Sequence, residues 1–121
     1  MAPDPIIART IESAVLLRTG GEEAVEDEVL ATYYSLAGDK KFAICRHGIV
    51  VEGRYIANAE IVRVGFHRNV KTDFAARLLL LHLESGEVVE LAVEGDRGRY
   101  LDVYPIQAFL RRRAHQARRG L

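Results

Sequence analysis

Tryptophan is absent from the chain, cysteine and methionine occur once each, and there are three prolines. A single cysteine, Cys45, excludes an internal disulfide. No apolar run exceeds four residues, far short of the roughly 18 that a membrane-spanning helix needs. No charged-then-apolar leader opens the sequence, so a soluble, cytoplasmic protein is expected. His47, His67, His82 and His115 show no His-x-x-x-His spacing, and Cys-x-x-Cys is missing. There is no Gly-x-Ser-x-Gly turn and no phosphate-cradling glycine loop; the glycines of "EGDRGRY" (94–100) are too few and misplaced for one. No catalytic residue, metal ligand or cofactor is therefore assigned. An excess of one charge sign is also missing. The net charge is zero, which disfavours a dedicated nucleic-acid binder, for which a basic domain is expected.

What is present is globular. The 121 residues are 49% hydrophobic and 28% charged, enough for one domain with one core. The charge is unevenly spread. Residues 1–60 carry 6 basic and 10 acidic side chains, and residues 61–121 carry 11 and 7. The acids gather in "EEAVEDE" (Glu22–Glu28). The bases gather in "RRRAHQARR" (Arg111–Arg119), where five arginines meet no acid. Such opposed patches steer association, within a molecule or between molecules.

The order of patterns is helix, strands, helix. Asp4 and Pro5 suit a helix start and Gly20-Gly21 a stop, with Ile7, Ile11, Ala14 and Val15 on one face, so a helix is predicted over Pro5–Thr19. The acidic stretch after it reads as a short helix or a solvated linker, so that residues 1–28 make up an N-terminal segment. Strands follow from Val29. "VLATYYSLA" alternates and places Tyr33 and Tyr34 on opposite faces. "KFAICR" and "IVVEG" flank His47-Gly48 as a two-residue hairpin loop. "EIVRVGFH" (Glu60–His67) is a further strand.

In "FAARLLLLHLESGEVVELAVEG" (74–95), a two-residue loop at Ser85-Gly86 pairs Leu80 with Leu91 on the inner face. It leaves Leu79, Leu81, Leu83 and Val88 on an outer face beside Glu90. Four large apolar residues do not belong in water, so that face is assigned to self-association or to cover by the N-terminal helix. A three-residue bulged loop would shift the register. The chain closes with an amphipathic helix from about Pro105. Ile106, Phe109, Leu110, Ala114 and Ala117 form its stripe, and Arg111, Arg112, His115, Arg118 and Arg119 its opposite side.

Cys45 and His47 sit two residues apart. On a strand that is roughly 6.6 Å, whereas a base must come within about 3 Å of its nucleophile. Cys45 is read as a buried strand residue.

The stretch "KFAICRHGIVVEGRYIANAEIVRVGF" runs from a strand and turn through "GIVV" and a short return to x-x-E-I-x-x-V at Glu60, Ile61 and Val64. Together with the closing helix, it resembles bacterial pleckstrin-homology (PH)-like domains over residues 29–119. The resemblance implies a mainly β (α+β) fold: a bent antiparallel barrel of about seven strands plugged by the C-terminal helix, here with an added N-terminal helix. It implies a non-catalytic module that binds a protein or peptide, and possible lipid-headgroup contact. Lys40, Lys41 and Arg46 lie near the first hairpin, but the Arg/Lys-x-Arg of phosphoinositide-binding members does not follow. A groove between strand Glu60–His67 and the last helix is implied as the docking place. Ile61, Arg63, Arg111, Arg112, His115, Arg118 and Arg119 are the candidate partner-binding residues. The arginines read first as a solvated face whose charge complements the helix dipole; the alternative function is an anionic surface gripped by them. There an acidic protein segment, such as "EEAVEDE" of a neighbouring copy in a homo-oligomer, is favoured over a membrane surface. Nucleic acid is disfavoured, since no aromatic interleaves the arginines to stack on bases.

Overall fold

The computed structural model describes Arg9 and residues 17–35, 37–66, 78–93 and 103–120. These form two antiparallel sheets and one C-terminal helix. The first sheet runs in sequence order through β1 (Leu17–Thr19), β2 (Val29–Tyr34), β3 (Lys40–Cys45), β4 (Gly48–Val51) and β5 (Arg54–Ala57). A 3-10 turn at Asn58–Glu60 leads into the second sheet, β6 (Ile61–Phe66), β7 (Leu78–Leu83) and β8 (Val88–Ala92). The helix α1 spans Val103–Arg118. Among the described residues no strand pairing joins the two sheets into a closed barrel.

Alternation along the strands decides which side chains meet. Tyr33, Phe42, Ile44, Ile49, Val51 and Ile56 of the first sheet share one core with Ile61, Val64, Leu79, Leu81, Leu91 and Val93 of the second. The Tyr33 and Phe42 rings stack with centroids 4.9 Å apart. Ile106, Phe109, Leu110 and Ala114 of α1 fill the same core, so the predicted stripe is the buried one. Arg113 lies at its rim, its guanidinium 5.4 Å from the centre of the Phe109 ring. A second, smaller cluster of Ala43, Cys45 and Val50 lies apart from that core. β3 and β4 are thus apolar on both faces, the pattern of strands covered on both sides. Arg54 joins the two sheets at their edge through a two-pronged ion pair with Glu87 (2.5 and 2.8 Å).

The structure corrects the sequence reading in three places. Residues 17–19 pair with β2 instead of ending a helix; the rest of the predicted N-terminal helix, Arg9 aside, lies outside the described residues. The β3–β4 loop is Arg46-His47, one residue earlier than expected, with Ile44 opposite Ile49 and Gly48 already in β4.

The third correction is the β7–β8 register. Leu81 faces Val89 and Leu79 faces Leu91, which leaves three loop residues, Glu84-Ser85-Gly86, with Gly86 at φ 93°. A positive-φ glycine closing a three-residue loop is the bulged alternative to the two-residue turn. The slip of one residue exchanges the faces. Leu79, Leu81 and Leu83, assigned to a self-association surface, are core residues, and of that set Val88 alone is exposed. Leu78, Leu80 and His82, half-buried, take the outer face instead.

Candidate functional site

The segment 20–28 is a strap across the outer side of the first sheet. Gly20 and Gly21, at φ 77° and 137°, reverse the chain out of β1. A Cβ on Gly21 would lie 2.0 Å from the Thr32 hydroxyl, which donates to the Gly20 carbonyl. The strap has no helical or strand pattern of its own; side chains hold it. Val25 packs on the Ala43–Cys45–Val50 cluster. Glu23 pairs with Lys40 at 2.8 Å and Glu28 with Arg46 at 3.4 Å. One Asp27 oxygen accepts both the His47 backbone N–H (2.8 Å) and the Tyr55 hydroxyl (2.7 Å). Val25, Glu26, Asp27, His47 and Tyr55 border an open hollow of about 460 Å³.

Cys45 belongs to this region. It is 1% exposed in the apolar cluster. Burial, with Asp27 and Glu23 adding repulsion, pushes its thiol from an ordinary value near 9 up to about 11. A thiolate needs an electropositive neighbour to persist at neutral pH, and here the neighbouring charges are negative. Burial and the bond to Asp27 likewise raise the Tyr55 hydroxyl. Both groups are held neutral in the fold. Their contribution is complete below their unfolded values and is lost as pH climbs through the folded ones. Thermal midpoints are therefore expected to fall as pH rises from about 9 towards 11, less steeply in Cys45→Ala or Tyr55→Phe. At neutral pH, Cys45 should react with a maleimide at least about tenfold slower than in the unfolded chain. A midpoint flat up to pH 11, or fast labelling, would contradict this account.

The other candidate surface is the seam between β6 and α1. Among the described residues β6 is an edge of its sheet. On the flank turned to the helix, the Val64 carbonyl accepts from Gln107 Nε2 at 2.8 Å. Phe66 touches Tyr104 (ring centres 5.6 Å apart), and Arg118 reaches Glu84 at 4.0 Å. α1 therefore runs antiparallel to β6. At 100° per residue, Tyr104, Gln107, Arg111 and Arg118 fall within about 60° of one another, on the row beside β6. Val62 of β6 and Tyr104 of α1 are 45% and 54% exposed.

The candidate partner-binding residues thus divide. Ile61 is buried in the core, and Arg63 is exposed, extending over Gly65 towards His82. Arg111 and Arg118 border the seam. Arg112, His115 and Arg119 are exposed; Arg112 and Arg119 form a second row of the helix turned away from the seam, and His115 lies between the two rows, about 20° from Tyr104. Val62 and Gln107 were not singled out from the sequence, whereas Tyr104, near a turn, was a candidate interface tyrosine; the unmatched apolar Val62 between Ile61 and Arg63 was the available sign. Among the described residues no group of three or more His, Cys, Asp or Glu side chains could hold a metal ion, and no helix is long and apolar enough to cross a membrane. The chain matches no protein-family model, no curated protein and no solved structure.

Proposed function

We propose that the chain is a non-catalytic binding module on a PH-like framework, which takes an extended peptide along β6 beside α1. The observation that carries this reading is the Val64 carbonyl. It lies on an edge strand and is satisfied by a side-chain amide, Gln107, where a neighbouring strand would supply a backbone N–H. A peptide added to β6 makes that replacement directly, and strand addition draws its affinity from such main-chain bonds. Val62 and Tyr104 offer apolar contact to alternate peptide side chains, and Arg111 and Arg118 favour acidic ones. The arrangement of a four-strand meander (β2–β5), a three-strand sheet and a closing helix is the order expected of a PH-like module.

The test is selection from a displayed library of extended peptides, followed by NMR titration of the best binder. Amide shifts should cluster on residues 62–66 and on the Tyr104–Arg118 row. Val62→Asp and Arg111→Glu should each weaken binding at least about tenfold. Failure to select any binder, or shifts confined to β8 or the strap, would refute the reading.

A further inference from the structure

The second row of α1 faces neither the core nor the β6 seam. Arg112 and Arg119 are exposed, no acidic residue occurs within α1, and the two arginines make no ion pair among the described residues. The strap has the opposite character. Glu23, Asp27 and Glu28 are committed to Lys40, Tyr55 and Arg46, but Glu22 and Glu26 are exposed and their carboxylates form no ion pair among the described residues. Glu26 borders the hollow beside the Tyr55 ring, so an incoming guanidinium would meet a carboxylate and an aromatic face together. Within one chain no ion pair links strap and helix among the described residues, although the net charge of the whole is zero.

We infer that the Arg112–Arg119 row of one molecule docks on the Glu22–Glu28 strap of a second copy. The strap is already ordered by Val25 and Asp27, so its two available carboxylates are presented without a further ordering cost on binding. The contact is between unlike surfaces. It propagates head to tail, or closes a dimer when two such contacts form reciprocally. It uses neither Val62 nor the Tyr104–Arg118 row, and stands apart from the peptide reading.

Sedimentation velocity across a concentration series tests it. Wild type should self-associate at about 20 mM salt and dissociate by about 300 mM, since exposed pairs are screened. Glu22→Arg/Glu26→Arg and Arg112→Glu/Arg119→Glu should each be monomeric alone. Mixed in equal amounts, the two variants should associate again, because every strap then meets a helix of opposite sign. Arg111→Glu/Arg118→Glu should associate within about threefold of wild type while losing the selected peptide. A wild type that stays monomeric at low salt, or variants that do not complement, overturns the inference. So does a monomeric wild type whose Arg112 and Arg119 instead bind heparin, which would assign the row to polyanions.

Discussion

Leu81→Asp is expected to leave the chain unfolded, and Leu80→Lys, one residue away, to leave it folded. Leu81 is 0% exposed, between Val64 on β6 and Val89 on β8. Truncating a buried leucine costs about 2–5 kcal/mol, and an unpaired carboxylate in the same place adds several more. Against a total stability of about 5–15 kcal/mol, few domains survive that sum. Leu80 is half-buried on the other face, directly opposite Glu90. A lysine there keeps its methylenes on the sheet and gains a cross-strand ion pair of opposite sign, worth at most about 1 kcal/mol. Circular dichroism melts of the two variants separate the registers. Had Ser85-Gly86 formed a two-residue loop, the outcome would be reversed: Leu80 would be the core residue and Leu81 the tolerant one.

The same hairpin marks where sequence pattern ends. Alternation and turn residues locate β7, β8 and the loop between them, but a two-residue and a three-residue loop both place a glycine at position 86. The choice depends on which leucine row matches the concavity of the opposing sheet, which is tertiary information. The C-terminal helix was legible almost residue by residue, because a 3.6-residue period over sixteen positions defines one stripe. The N-terminal end was not. Leu17 continues an apolar helical stripe and also suits an edge strand, and its pairing with Tyr33 prevails. Least legible was the strap. It has no period, and its anchors are distant in sequence: Asp27 meets Tyr55 from 28 residues away. A run of acids without periodicity reads as a solvated linker whether or not something holds it down. At the β6–α1 seam, the strand and the arginines were visible separately. Which arginines border the strand follows from the helix's phase against β6, set by Gln107 and Tyr104.

Gly48→Ala is expected to cost about 2–3 kcal/mol and to loosen the strap, although its backbone is of a kind that any residue adopts. Gly48 does not have a positive φ, so the requirement for glycine is one of space. A Cβ there would lie 2.5 Å from the Ile56 carbonyl oxygen and 2.6 Å from the end of the Tyr55 ring and its hydroxyl. The ring could swing aside, but its hydroxyl would then leave Asp27 and the strap would lose one anchor. The carbonyl is backbone of β5 and moves only if the Gly48–Ala57 end of the β4–β5 pair opens. Gly53 provides the contrast: its φ is 77° and nothing lies within 4 Å of its missing Cβ, so Gly53→Ala should lose only about 1–2 kcal/mol of stability to backbone strain and leave the strap in place. Chemical denaturation measures the stabilities, and maleimide labelling of Cys45 under native conditions reports the strap. Labelling should accelerate in Gly48→Ala and not in Gly53→Ala. In a Tyr55→Ala background, the penalty of Gly48→Ala should shrink but persist, because the ring conflict is gone and the carbonyl conflict remains. A neutral Gly48→Ala, or a penalty abolished outright by Tyr55→Ala, would mean that the β5 backbone yields freely at Ile56 and that the strap is anchored without Tyr55.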